Sequence, residues 1–435
     1  MMYDAATESL ARAELTQLQI ERLQAMLRRV YRNVAFYRTR FDQLGIDVEQ
    51  VRDLEALQQL PCTTRADLQA AYPYGMFGVP LRDIVRLHAS SGTTGKPTVV
   101  GYTRNDLQHW SALVARQLVS VGVSEHDIVQ IAFSYSLFTG GLGFHYGAEL
   151  LGAAVVPASS GANAADQLAI MRDYKTTVLA GTPSYALTIA TALEEQSLHP
   201  EELNLRVGVF GAEPWSEALR ERIETKLGLR AYDTYGVSEI MGPGVAAECE
   251  QRCGMHINED HFIAEIIDPL TEINRGTGEE GELVFTTITK EGFPVIRYRT
   301  GDLAVLLDGD CDCGRTFVRM GRVEGRTDDL VMAQGIKFMP SQLREVLMRQ
   351  RWIRPDTAIV LDRKDGSDTI EVQVAVSEEA PFFDEISRVS ELRAEIVRTL
   401  RTEMGISVKL TFVESATLRQ KVGTKGVSVT DHRQR

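Results

Sequence analysis

No apolar run in the 435 residues reaches the roughly 18 that a membrane-spanning helix needs. The nearest candidate, Gly140 to Pro157, is interrupted by His145 and Glu149. An apolar block is also missing near the N-terminus, where Asp4, Glu8, Arg12 and Glu14 stand in place of a signal peptide's core. A basic excess is missing too. The net charge of −13 argues against a general nucleic-acid binder, while leaving room for a local basic nucleotide site. There is no internal repeat and no low-complexity tract. Cysteine is scarce: of the five, four stand in two short groups, which in a chain without a secretion signal argues for metal rather than disulfides. Together these absences predict a soluble, cytoplasmic protein.

What is present is enough apolar residue, 44% of the chain, for a large core. The length suggests about two to three domains of roughly 150 residues each. Leu15, Leu18, Leu23, Met26, Val30 and Val34 fall on one face of a helix expected from Glu14 to Tyr37. Further on, short apolar runs (Ile128 to Phe133, Ala153 to Ala158, Thr177 to Ala180, Val207 to Phe210) alternate with helical stretches such as Gln167 to Asp173 and Glu217 to Leu227. That alternation predicts an α/β fold with parallel strands. The character changes near Arg326. Helices over Ser341 to Arg349 and Leu392 to Met404 then flank an alternating Ile370, Val372, Val374, Val376 strand, with a hairpin turn at Lys364-Asp365-Gly366-Ser367. The expected organisation is a large multi-layer α/β domain over residues 1–325 and a small α+β domain over residues 326–435.

The most informative segment is Ser90-Ser91-Gly92-Thr93-Thr94-Gly95-Lys96-Pro97. Glycines let a backbone approach phosphates closely, hydroxyls and N–H groups donate to phosphate oxygens, and lysine adds charge. A Walker A loop needs four residues between its first glycine and the Gly-Lys pair, with Ser or Thr following. Here only Thr93 and Thr94 intervene and Pro97 follows, so that reading fails. A second cluster of chemistry-bearing residues is Cys249-x₃-Cys253-x₂-His256 together with Cys311-x-Cys313. Zinc wants four such ligands in a tetrahedron. Five donors compete for four places, and the two groups must meet in space. Gly314 after Cys313 would ease a tight knuckle. Cys62, far away in sequence, reads as a buried small hydrophobe.

The octet resembles the phosphate loop of adenylate-forming enzymes. Three further segments resemble that superfamily's signatures in the right order: Tyr232-Asp233-Thr234-Tyr235-Gly236-Val237-Ser238-Glu239, Tyr298-Arg299-Thr300-Gly301-Asp302, and Gly325-Arg326-Thr327-Asp328-Asp329 with Gly335 beyond. Gly211-Ala212-Glu213-Pro214-Trp215, Phe138-Thr139-Gly140-Gly141-Leu142-Gly143, His256 with Glu259-Asp260-His261-Phe262, and Phe338-Met339-Pro340-Ser341-Gln342 are similar to segments of phenylacetate–CoA ligases. The similarity runs from about Leu10 to Arg433.

The resemblance implies the adenylate-forming fold and ligation of an aryl acid, phenylacetate first, to coenzyme A through an acyl-adenylate, with release of AMP and pyrophosphate. It implies that Ser90, Ser91, Gly92, Thr93, Thr94, Gly95 and Lys96 hold ATP phosphates. Ala212, Glu213 and Pro214 line the adenine pocket with Tyr235 stacked on the base, and Asp233, Gly236 and Ser238 complete that binding region. Asp302 accepts from the ribose hydroxyls and Arg326 contacts ribose or phosphate. Glu239 ligates Mg²⁺, Asp328 is the hinge of the small domain, and Lys425 is the adenylation lysine. Thr424 stands where the family has glycine, which leaves Lys421 as an alternative to Lys425. Tyr135, Phe138 and Gly141 to Gly143 lie beside the substrate's ring. In zinc-bearing relatives the ligands are one Cys, the His and the Cys-x-Cys pair, which maps onto Cys249, His256, Cys311 and Cys313 with Cys253 spare or substituting. A homodimer is implied as well. Two other readings stand beside this one: an adenylating enzyme that passes an acyl group or AMP to a non-CoA acceptor, and an inactive ATP-binding or zinc-organised interaction protein. The retention of Lys96, Glu239, Asp302 and Lys425 opposes the last.

Overall fold

The computed structural model describes residues 1–90, 97–327, 331–334, 336–364, 367–377, 380, 386–422 and 427–433. The chain divides into two compact units: Met1–Ala212 with Ile223–Arg322, and Glu213–Arg222 with Val323–Arg435. Among the described residues no helix is long and apolar enough to cross a membrane.

The helix expected from Glu14 to Tyr37 is two helices, Arg12–Asn33 and Ala35–Leu44. They part at Val34, whose extended backbone (φ −107°, ψ 104°) turns the chain while its N–H still closes on the Val30 carbonyl. Leu15, Leu23, Met26, Val30 and Val34 are buried as their spacing requires.

Two short strands, β1 (Arg86–Ala89) and β2 (Val99–Tyr102), form an antiparallel pair. The main sheet then begins with β3 (Ile128–Ile131), β4 (Ala154–Val156), β5 (Val178–Gly181), β6 (Val207–Gly211) and β7 (Arg230–Val237), all mutually parallel. It continues antiparallel through β8 (Gly242–Glu248) and β9 (Met255–Ile257). A separate antiparallel set consists of β10 (Phe262–Ile267), β11 (Gly281–Thr287) and β12 (Tyr298–Ala304), paired in chain order. The short β13 (Leu306–Leu307) and β14 (Arg319–Met320) rejoin the main sheet, whose order is β13-β14-β9-β8-β7-β6-β5-β3-β4. The four apolar runs picked out by composition are β3 to β6. Strands β5 and β6 are buried at every position, as expected for strands covered on both faces.

This order has a functional consequence. The chain leaves β3 toward β4 on one side, whereas it leaves β5 toward β6 on the other. Ligands of open parallel sheets bind at the carboxyl ends of strands, where such a reversal opens a crevice. The segments at that edge are Ala132 to Phe138 after β3, Ala212 after β6, and Ser238 to Met241 after β7.

The larger part of the second unit, from Val323 on, opens with β15 (Gly325–Arg326) and a small antiparallel pair, β16 (Val331–Ala333) and β17 (Ile336–Phe338). Its sheet has the order β20-β19-β18-β21, from β18 (Ile353–Lys364), β19 (Ser367–Val376), β20 (Val408–Phe412) and β21 (Val427–Asp431). Lys364 pairs with Ser367 across the expected hairpin; its Asp365 and Gly366 lie outside the described residues. Ile370, Val372, Val374 and Val376 all point into one core with Leu343, Leu347, Ile396 and Leu400, which come from the helices Pro340–Met348 and Ile386–Met404. Each such side chain contributes about 1.5–3 kcal/mol of burial.

Candidate active site and metal centre

Ser90 and Thr98 close the neck of the glycine-rich loop. The Ser90 N–H donates to the Thr98 carbonyl at 3.0 Å, and the Thr98 N–H donates back to Ser90 Oγ at 3.3 Å. The arms are β1 and β2, a local pairing that follows from β-branched Val99 and Val100 opposite Ala89 and His88. Ser91, Gly92, Thr93, Thr94, Gly95 and Lys96 lie outside the described residues.

Strand β7 carries the next group. Tyr235 donates its hydroxyl to Asp302 Oδ2 at 2.6 Å, and its ring lies against Phe285 with centroids 6.1 Å apart and planes 24° apart. Asp302 itself is held by Thr300, whose Oγ1 accepts from its N–H at 3.0 Å. The structure thus brings together two residues 67 positions apart that motif reasoning had given to the same nucleotide. Gly236 tolerates no side chain, since a Cβ there would lie 1.9 Å from the Gly242 carbonyl oxygen across a register shift between β7 and β8. The N–H of Asp233 donates to Glu248 at 2.8 Å, and its carboxylate lies 3.8 Å from Arg322. Ala212 sits just past β6 with a φ of 68°, a strained conformation for a residue with a Cβ and one that gathers at functional sites.

The turn after β7 holds Ser238 and Glu239, both buried. Ser238 Oγ is 3.0 Å from Thr139 Oγ1, which ties the turn to the start of the helix Gly140–Leu151. Lys290, fully buried, donates to the Ile240 carbonyl at 2.8 Å and reaches the Glu239 carbonyl at 3.4 Å. Burial pushes its pKa down to about 7, against the opposing pull of Asp106 and Glu239. A carboxylate such as that of Glu239 offers the hard oxygen that Mg²⁺ prefers.

Tyr135 and Phe138, both half-buried, occupy the segment after β3. Tyr135 Oη lies 3.2 Å from His145 Nδ1, and His145 Nε2 lies 3.1 Å from Glu149. Gly141 packs against the Ser134 carbonyl and the Tyr135 ring. Gly143 faces Pro243 and Trp110, where a Cβ would come within 2.5 Å and 2.8 Å. Its smallness therefore serves the packing of the helix on β8.

The cysteines converge as their spacing demanded. One donor atom from each of Cys249, His256, Cys311 and Cys313 lies within 4.8 Å of the others. Cys249 and Cys311 sulfurs are 3.6 Å apart, and Cys313 Sγ is 3.4 Å from His256 Nε2. A tetrahedron with Zn–S bonds of about 2.3 Å has edges of about 3.8 Å, so these donors fit zinc. His256 Nδ1 faces the Phe317 carbonyl at 3.3 Å, an outer contact that leaves Nε2 for the metal. The hydrogen bond with Cys249 holds the Cys313 thiol pKa down and pushes that of Cys249 up. Cys253 stands 3.2 Å from Cys311 as a fourth sulfur and fifth donor. Cys62 is buried with Ile267 and Val284.

Residues 17–289 match the AMP-binding enzyme family, and residues 335–433 match the AMP-binding enzyme C-terminal domain. A phenylacetate-coenzyme A ligase of Thermus thermophilus is 44% identical over 447 aligned positions, covering 100% of both chains. The chain belongs to the phenylacetate–CoA ligase family. A phenylacetate-coenzyme A ligase of Escherichia coli is 44% identical, covering 94% of this chain and 93% of that protein. The crystal structure of a 2-hydroxyisobutyryl-CoA ligase in the postadenylation state superposes with a TM-score of 0.90 at 27% identity, covering 98% of this chain and 92% of that one. The fold is therefore that of the adenylate-forming enzymes, as the four signatures implied.

Other residues that the family resemblance singled out fall in the second unit or outside the description. Glu213 and Pro214 begin the segment grouped with the second unit, and Arg326 lies half-buried in β15. Lys421, on the helix Ser415–Val422, donates to Gln373 at 3.0 Å. Asp328 and Lys425 lie outside the described residues. Sequence reasoning missed Lys290, Tyr102 and the His145–Glu149 pair. The one available signal for Lys290 was that it is the lone cation in the stretch Val284 to Ile296.

Proposed function

We propose that this enzyme joins an aryl acid, phenylacetate first, to coenzyme A by way of an acyl-adenylate. The carboxylate oxygen attacks the α-phosphorus of ATP and pyrophosphate leaves; the CoA sulfur then attacks the acyl carbon and AMP leaves. The acid is ionised at pH 7, so the first step asks for alignment and charge neutralisation rather than a base. The observation that carries this reading is the Tyr235–Asp302 hydrogen bond, which joins β7 to β12 just ahead of the Glu239 turn, in a chain of this family.

In this reading Asp302 accepts from the ribose hydroxyls, Ala212, Glu213 and Pro214 line the adenine site, and Ser90 to Lys96 cradle the outer phosphates. Glu239 would hold Mg²⁺, which supplies positive charge against the phosphates. Tyr135 and Phe138 flank the aryl ring. The segment 326–435 acts as a mobile domain that turns about Asp328, and Lys425 serves adenylation. Cys249, His256, Cys311 and Cys313 hold a structural Zn²⁺. A cytoplasmic homodimer is supported by the family resemblance.

The test is AMP release from ATP and Mg²⁺ across a panel of aryl acids, with and without CoA. CoA-dependent release with phenylacetate is expected. Release that needs no CoA would assign another acceptor, and silence with every acid would overturn the ligase reading.

A further inference from the structure

Lys290 is fully buried, yet no step of the ligation uses it. Burying an ammonium is costly unless polar partners compensate, and a methionine would fill the same space without that cost. The compensation is specific. Its donors converge on the carbonyls of Ile240 (2.8 Å) and Glu239 (3.4 Å), while Nζ lies 4.5 Å from the centre of the Tyr102 ring and 5.5 Å from that of Phe293. Tyr102 completes the grip: its hydroxyl donates to the Met241 carbonyl at 2.8 Å and lies 3.4 Å from that of Ser238. Four consecutive carbonyls, 238 to 241, thus end on two side chains. The N–H groups of Ile240 and Met241 both close on Val237 at 3.0 Å.

The lysine is itself anchored. Asp106, which caps the helix Arg104–Ser120 with Thr103, accepts from the N–H groups of Glu291 (2.7 Å) and Gly292 (2.8 Å). A fixed carbonyl fixes its planar peptide, so the backbone that bears the Glu239 side chain cannot swing. We propose that Lys290, with Tyr102 as its partner, is the positioning residue of the metal-bearing turn, holding Ser238 to Met241 so that Glu239 meets the cation of metal–ATP. The proposal rests on the reading of Glu239 as the Mg²⁺ ligand.

The test is a titration of Mn²⁺ into the whole enzyme with a non-hydrolysable α,β-methylene ATP, followed by proton relaxation. Alongside it, thioester formation from supplied phenylacetyl-adenylate is measured. Lys290→Met should raise the Mn²⁺ midpoint about tenfold, the scale of one lost charged hydrogen-bonding group. It should leave metal-free nucleotide binding and the thioester step within about twofold. An unmoved Mn²⁺ midpoint, or equal loss of everything in a natively folded variant, would make Lys290 a core residue only. Glu239→Gln separates the two ideas. If it moves the midpoint and Lys290→Met does not, only the positioning role falls; if it does not, the ligand reading falls and this proposal with it. Should Lys290→Met fail to fold, Tyr102→Phe, which deletes one oxygen, must shift the midpoint in the same direction by a smaller factor, and no shift overturns the proposal.

Discussion

At the Cys249, His256, Cys311 and Cys313 cluster four donor atoms crowd within 4.8 Å of one another, whereas at the Ser238–Met241 turn a single carboxylate, Glu239, is offered, and the neighbouring side chains hold its backbone instead. The difference follows from the cations proposed for each place. Structural zinc takes all four ligands from the protein. Mg²⁺ keeps waters and borrows phosphate oxygens, so one or two carboxylates suffice. In the first place the residues are the site; in the second most of them are scaffold for one side chain.

The sharpest way to break this comparison is to remove each ligand. Glu239→Gln should lower the adenylation rate by about 10²–10³-fold, as when a transition-state electrostatic group is lost, while thioester formation from supplied adenylate persists. Pyrophosphate exchange checks the first step. Equal loss in both steps would make Glu239 a fold residue. Cys311→Ser, or chelation, should act in the opposite sense. Metal content by plasma mass spectrometry should fall from about one zinc per chain, as expected of a closed four-ligand site, and the thermal midpoint should drop by several degrees. Catalysis by the surviving folded protein should change little. A large rate loss without a stability loss would mean that the cluster serves the chemistry.

The same contrast governs what could be read from the sequence. The cysteine cluster was legible because its ligand types are rare and chemically marked. Only its tertiary meeting was unknown, and the choice among five donors was carried by resemblance. The β18–β19 core was legible too, because Ile370, Val372, Val374 and Val376 keep a period of two. Strands β3 to β6 showed as apolar runs. Lys290 and Tyr102 were not legible. Their role comes from contacts with residues 50 and 139 positions away, and a lysine or tyrosine in isolation carries no such mark. The break at Val34 escaped for a related reason: the apolar stripe runs through it, and only the observed φ and ψ show the turn.

Acid separates the two places further. His88 lies buried in β1, with Nδ1 3.0 Å from the Leu137 carbonyl and its ring edge-on to Tyr102 and Trp110. Burial lowers its pKa below the usual histidine value. The unfolded chain therefore takes up a proton here before the folded one does, so stability is full above the unfolded pKa and falls as pH drops through it. With zinc chelated, to silence the cluster's own proton release, urea midpoints should fall between pH 7 and pH 5, and His88→Asn should reduce that fall. An undiminished fall would place the acid sensitivity elsewhere.

The smallest effect expected is the one that best defines the nucleotide edge. Tyr235→Phe deletes the hydroxyl that donates to Asp302 and leaves the ring against Phe285. If Tyr235 serves chiefly to fix the Asp302 carboxylate for the ribose, the KM for ATP should rise about 3- to 5-fold, roughly 1 kcal/mol for one hydrogen bond, with kcat nearly unchanged. Tyr235→Leu should cost more, because it also removes the flat surface expected beneath the adenine. Equal effects of the two variants would confine Tyr235 to the hydroxyl's role. A fall in kcat at constant KM would show instead that the Tyr235–Asp302 bond acts in the transition state, which would put this pair with Glu239 among the groups that hold geometry for the reacting phosphate.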